Sequence, residues 1–408
     1  MLFNIFLFIL TVASAAFLLR PVLRKNQHWQ AMLTPLSSII GSGFLIMAPL
    51  LTSIVGHFSP LAVLGIVLLA YAIGDVIRFN ILHVEPRSKT GSLSLATKQI
   101  EFWGNIMLAI AYTIAVAFYL SLLSAFLLNY FGINDLTSER WLTSLILVFI
   151  MLVGYIKGLD GLVKVESLSM TVQLAIVVSL LLALGLFAVN FLNSDTVLEF
   201  TYPQREFSTK MQMLAGALLI VQGFETSRFI GEKYSPEIRV KSMKNAQIIS
   251  GVLYVVSVIL LLPIIGEIDL INIQLADIVS ATGSAATILP IMLIIAALMS
   301  QFSAAVADTA GAGGLISENS GRRLSTKISY IGILIGAFVL VWNVHLIEII
   351  TLASKAFAAY YFLQTLLAFF YCFKDCPVKS PITNIKKGLY LLIALVLLYV
   401  IFFAIPAE

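Results

Sequence analysis

Residues 38–46 read Ser-Ile-Ile-Gly-Ser-Gly-Phe-Leu-Ile and interrupt one long apolar stretch; residues 220–228, Ile-Val-Gln-Gly-Phe-Glu-Thr-Ser-Arg, interrupt another half a chain away. Backbone groups freed from a helix find no water in a bilayer core, and each one left unsatisfied costs about several kcal/mol. Glycine-interrupted spans in corresponding halves therefore point to the binding site of a secondary transporter. The first interruption offers Ile40, Gly41, Ser42, Gly43 and Phe44. A half-helix starting there presents unpaired N–H groups and a positive dipole end to an anion such as a carboxylate. The second offers Gln222, Gly223, Phe224, Glu225, Thr226 and Ser227, with carbonyls beside Gly223 to accept from an amine. Glu225 is a candidate gate or proton acceptor. Arg228 follows it by three residues, so the two are expected to meet on one helical face. Pairing reduces the cost of a charge at the bilayer centre, about 2.5–3.5 kcal/mol on insertion scales. The plainer alternatives are a small-residue helix contact at the first site and an ion pair that only eases insertion at the second.

These groups have to be positioned by membrane helices. The chain of 408 residues is 60% hydrophobic and only 11% charged, where a soluble domain carries roughly a quarter charged residues. The formal net charge of +4 is dispersed among loops, which gives no nucleic-acid surface. Cys372 and Cys376, beside Lys374, make neither a disulfide framework nor a zinc site. No catalytic triad, phosphate loop or dinucleotide fingerprint occurs, so no enzymatic activity and no cofactor are expected.

At about 20 apolar residues per crossing, twelve spans are expected: 2–19, 31–55, 60–82, 103–130, 142–156, 165–192, 209–231, 246–265, 283–310, 328–343, 347–372 and 388–405. Basic residues concentrate in alternate loops, among them Arg20, Arg24, Lys25, Arg87, Lys98, Lys233, Arg239, Arg322 and Arg323, while the opposite loops carry Arg140, Arg205 and Lys210. The positive-inside rule puts the basic set in the cytoplasm and both termini outside, in an integral protein of the cell membrane. Residues 2–15 have a signal-peptide-like appearance, but no basic residue precedes the apolar run and three follow it. A retained helix is the better reading.

Residues 31–192 hold five of these spans and residues 209–372 another five. An odd number inverts the second set relative to the first, and the first span of each set carries the interruption. The organisation is then an additional helix and loop (1–30), a first repeat (31–192), an external linker (193–208), a second repeat (209–372), and a loop with a final helix (373–408). The fold class is an all-α polytopic membrane protein with a five-plus-five inverted-repeat core.

Ile-Ile-Gly-Ser-Gly-Phe at 39–44 and Gln222-Gly223-Phe224-Glu225 resemble the broken first and sixth core helices of the amino acid–polyamine–organocation (APC) superfamily, with its leucine-transporter-like fold. Gly231 to Arg239 and Gly158 to Lys164 are similar to its cytoplasmic loops. The resemblance covers about residues 30–400. Proton-coupled relatives carry a lysine in the fifth core helix where this chain has Gln173, and the coupling ion stays open between proton and sodium. The family usually seats a coupling cation between the first and eighth core helices, which makes Ser300, Ser303 and Asp308 candidates; oxygen donors suit a hard cation. Glu225 and Lys355 are further coupling candidates. Tyr112, Phe118 and Tyr119 are candidates for the pathway wall, and Tyr112 for the substrate site. Asp75 and Arg78 read as a structural pair.

The expected function is secondary active transport of small organic solutes, amino acids or related amines, by alternating access. An uncoupled channel or facilitator, a substrate exchanger and, less favoured, a membrane sensor remain alternatives. The expected partners are the substrate, a coupling ion and the bilayer, with no nucleic acid; oligomeric state is left open.

Overall fold

The computed structural model describes residues 1–41, 43–90, 93–159, 166–194, 197–231, 233–271, 277–374 and 381–407. The described secondary structure is helical. Helices α1 (Leu2–Leu18), α2 (Gln27–Ile40), α3 (Gly43–Val55), α4 (Ser59–Phe79), α5 (Leu95–Tyr130), α6 (Leu136–Lys157) and α7 (Glu166–Leu192) form the first half. Helices α8 (Phe207–Gly216), α9 (Pro236–Ile265), α10 (Leu289–Asn319), α11 (Thr326–Asn343), α12 (Leu346–Lys374) and α13 (Pro381–Phe403) follow. Among the described residues, nine helical stretches are long and apolar enough to cross a membrane, with Gln27–Ser88 taken as one; Leu2–Leu18 is apolar but shorter.

Local chemistry starts these helices where the sequence offers a side-chain acceptor. Asn26 accepts from the N–H groups of His28 and Trp29 ahead of α2. Ser94, Asp135 and Ser325 do the same for α5, α6 and α11. Such caps satisfy N–H groups that the first helical turn leaves free. Ser235 caps α9, and Pro236, which has no N–H to lose, occupies its first position.

Helix α5 is the axis of the bundle, packed along α10 on one side and α12 on another. Helix α9 lies against both α2 and α4, so it touches the first interrupted stretch and the helix after it. Helix α1 docks on α7 through Ser179, whose hydroxyl donates to the Leu7 carbonyl at 3.1 Å and meets Thr11 Oγ1 at 2.7 Å. Polar contacts of this type hold helices together where lipid leaves little hydrophobic drive. After Phe79, α4 continues as a wider turn over Asn80–Val84 and a short helix over Glu85–Lys89. Asn80 there donates to the backbone and side-chain oxygens of Gln364 on α12. Asp75 and Arg78 pair at 3.7 Å, as their spacing suggested.

Candidate substrate site

The two interruptions are real breaks, and they face each other. Helix α2 stops because Gly41 takes φ 35° and ψ −144°, a conformation that a Cβ would obstruct. The Gly41 carbonyl accepts from the Gln173 side-chain amide of α7. The second break is wider than expected: α8 ends at Gly216, a tight turn spans Leu218–Val221, Gly223 sits at φ 118°, and a second turn covers Phe224–Arg228. The expected span 209–231 is thus not one continuous helix. Ser42 lies outside the described residues.

Tyr254 of α9 ties the breaks together. Its hydroxyl lies 2.8 Å from the Ile39 carbonyl and 2.6 Å from the Ile220 carbonyl. It has one proton, so it donates to one of these freed oxygens at a time. A void of about 10 Å³, bordered by Ile39, Val221 and Tyr254, has room for one water. The glycines set the spacing. A Cβ on Gly43 would lie 2.8 Å from Ile220 Cγ2 and 2.9 Å from the Tyr254 hydroxyl, and one on Gly223 would lie 2.7 Å from the backbone carbon of Ser38. Each break therefore gives the other a place to approach.

The fate of Glu225 corrects the expected pairing with Arg228. A 3-10 turn and the fold-back of the carboxylate separate them. Glu225 Oε2 accepts from the Gly223 N–H at 3.0 Å and the Tyr361 hydroxyl at 2.7 Å, and Oε1 lies 3.5 Å from the Tyr112 hydroxyl. The residue is fully buried. Arg228 turns the other way, to Glu101 at 3.5 Å and the Tyr360 hydroxyl at 3.2 Å. Phe224 stacks on Tyr361 with ring centres 5.2 Å apart, and Phe357 bridges Tyr361 to Tyr112. The second break is thereby lined by a carboxylate within an aromatic wall contributed by α5 and α12.

The remaining candidates separate into groups. Gln222 donates to Tyr119 at 3.2 Å, and Phe118 packs its ring beside Tyr119. Thr226 donates to the Gly223 carbonyl at 2.7 Å, so it caps its own turn, while the Ser227 hydroxyl has no hydrogen-bond partner among the described residues. Ile40 and Phe44 are buried in packing. Asp308 is buried on α10. Ser300 and Ser303 are buried on the same helix, and neither hydroxyl makes a hydrogen bond among the described residues. Lys355 is half-buried on α12 and is not joined to the Glu225 cluster by any described hydrogen bond or ion pair.

Sequence reasoning missed Tyr254, Tyr361 and Arg239. A buried tyrosine hydroxyl needs a partner, which was a usable signal for the two tyrosines. Arg239 was assigned to a cytoplasmic loop with the other cations, but the structure buries it to 1% exposure. Its guanidinium pairs with both oxygens of Glu85 at 2.9 and 3.1 Å and donates to the carbonyls of Ser227 and Arg228 at 3.4 and 3.2 Å. Gly231 permits this closeness, since a Cβ there would lie 3.2 Å from Arg239 Nη1.

A prediction follows from the glycine spacing. Gly43→Leu should lose substrate binding and transport because it pushes the two breaks apart, with an overpacking cost of about 1–3 kcal/mol. Gly154→Ala should be milder, because the nearest atoms to its Cβ are side-chain carbons of Leu159 and Tyr330 at 3.1 and 3.2 Å. Binding and uptake on folded protein compare the two; equal losses would remove the special status of Gly43.

A described fold that is helical, with apolar helices that break in two facing places, is compatible with the broken-helix layout of membrane transporters. The chain belongs to the APC superfamily of transporters: the sequence profile of a family described as APC superfamily transporters matches residues 21–404. It is also 41% identical over 362 residues to an uncharacterized protein of Aquifex aeolicus strain VF5, a match covering 88% of each chain.

Proposed function

We propose that the protein is a secondary active transporter of small organic solutes, amino acids or related amines, that works by alternating access around a midplane site between the two breaks. The carrying observation is the meeting of the breaks at Tyr254, with Glu225 turned back onto Gly223. Backbone carbonyls at Ile39 and Ile220, amides at the start of α3, and the carboxylate of Glu225 form the polar set available to an amine and a carboxylate. Residues 40–44, 222–227 and Tyr112 are the proposed substrate contacts, and Glu225, Asp308, Ser300, Ser303 and Lys355 the coupling candidates.

The architecture we propose for this activity is a leucine-transporter-like core of two inverted five-span repeats. The second begins at the broken segment α8–Arg228, just as the first begins at the broken pair α2–α3. Helices α1 and α13 add to this core, which makes twelve spans. The basic loops lie in the cytoplasm and both termini lie outside the cell membrane.

Purified protein screened by thermal shift against amino acids, amines and carboxylates should be stabilised by its substrate, since a ligand of the native state raises stability. In liposomes that ligand should accumulate above its external concentration under an imposed proton or sodium gradient, and the uptake should saturate and support countertransport. Flux that never exceeds equilibrium and shows no countertransport would assign a channel instead. Ligand binding with no flux at all would assign a sensor.

A further inference from the structure

A groove of about 380 Å³ runs along the outside of the bundle between α5, α10 and α11, within the range of volumes that hold small ligands. Its walls are mainly apolar and include Ile106, Ile110 and Ile316. Ile110 is 45% exposed, so the groove opens sideways toward the bilayer. One end is polar. There Asn105 donates to Asn319 at 3.4 Å and Asn319 donates to the Phe102 carbonyl at 3.2 Å. Phe102 and Trp103 are exposed at the same level, and exposed aromatics of this kind mark the membrane–water interface.

Beyond that level the surface is basic. Lys98 sits one helical turn before Phe102, on the same face of α5, and Arg322 and Arg323 follow Ser320 and Gly321 where α10 ends. All three are exposed, and none is paired with a carboxylate among the described residues; Glu318 is the acidic residue nearest in sequence to the arginines. The turn that presents the arginines is fixed rather than extended: Arg322 takes φ 63° and its N–H bonds the Ser317 carbonyl at 2.8 Å. The groove thus has an apolar slot and an amide pair at one end, and beyond that end the chain carries three exposed cations with no carboxylate partner among the described residues.

We propose that this groove is a binding site for an anionic phospholipid, with one acyl chain between α5 and α11 and the phosphate held by Lys98, Arg322 and Arg323. Basic recesses between membrane helices are suited to anionic headgroups. The lipid would rest on α5 and α10, the helices that carry Tyr112 and Asp308.

Gly332 provides a clean test, because a Cβ there meets nothing within 4 Å and a larger side chain would enter the groove without clashing. Delipidated full-length protein is titrated with phosphatidylglycerol, with phosphatidylcholine of the same chains, and with inorganic phosphate. Binding is read by native mass spectrometry and thermal shift. Wild type should bind phosphatidylglycerol at least tenfold more tightly than phosphatidylcholine and show no stabilisation by inorganic phosphate. The triple variant Lys98→Gln, Arg322→Gln, Arg323→Gln should lose that preference. Gly332→Leu should lose both lipids at this site, while Gly185→Leu, also an open position, should bind as wild type. Equal affinity of the wild type for both lipids, a wild-type preference in the triple variant, or wild-type binding by Gly332→Leu would each overturn the proposal. Stabilisation by inorganic phosphate alone would assign a free-anion site instead.

Discussion

Glu225→Gln is expected to abolish proton-driven accumulation, by at least tenfold, while substrate exchange stays within a few-fold of wild type. Glu225 is fully buried at the second break. Its neighbours are three donors, the Gly223 N–H and the hydroxyls of Tyr361 and Tyr112, and no cation pairs with it among the described residues. A charge this deep costs about 2.5–3.5 kcal/mol on insertion scales. In the proposed function, a proton or a cationic substrate group would neutralise it. Glutamine keeps an acceptor oxygen that can serve both the Gly223 N–H and the Tyr361 hydroxyl, but it cannot change its protonation, so binding can survive while coupling is lost. Coupling is a free-energy link between two ligands and is separable from the affinity of either. The measurement is uptake against exchange in liposomes with and without a pH gradient, with Asp308→Asn run in parallel. If both variants accumulate substrate normally, neither carries the coupling proton, and sodium dependence would then direct attention to Ser300 and Ser303.

Arg239→Met should lower folding stability by about 3–5 kcal/mol, the usual result of removing one partner from a buried ion pair. Arg239 performs two tasks with one guanidinium: it neutralises Glu85 and it donates to the carbonyls of Ser227 and Arg228 at the end of the second break. Methionine replaces the apolar stem and removes both. The double variant Arg239→Met, Glu85→Gln should recover part of the loss, because no buried charge is then left uncompensated. The carbonyls stay unpaired, so recovery should be incomplete. Lysine at 239 keeps the charge but lacks the planar fork that reaches a carboxylate and two carbonyls together, and should fall between. Thermal unfolding in detergent checks the series. A melting temperature of Arg239→Met equal to that of wild type would show that the buried pair does not hold this end of the break.

Much of the fold was legible because bilayer chemistry acts locally on the sequence. Apolar length gave the helices: α4 occupies Ser59–Phe79 where 60–82 was expected, and α11 occupies Thr326–Asn343 where 328–343 was expected. The glycines marked the breaks, because φ 35° at Gly41 and φ 118° at Gly223 are conformations that other residues rarely adopt. Asp75 and Arg78, three apart on a regular helix, pair as their spacing requires. The same argument failed for Glu225 and Arg228, because it assumed a regular helix. In the 3-10 turn that replaces it, the carboxylate caps Gly223 and the arginine meets Glu101, a residue more than a hundred positions earlier.

The sequence by itself therefore determined the membrane setting, the helical class, the places where two helices must break and the polar groups stationed there. Each follows from a local property: apolar length, backbone freedom or the cost of a charge in hydrocarbon. Tertiary structure alone decided which break meets which, through a tyrosine of α9 that bridges Ile39 and Ile220. It also decided that Tyr112 and Tyr361, from two distant helices, converge on Glu225, and that Arg239 lies buried against Glu85 rather than among the loop cations. Those outcomes depend on the packing of helices far apart in the chain, and a hydrogen bond between distant residues leaves no periodic trace in a single sequence.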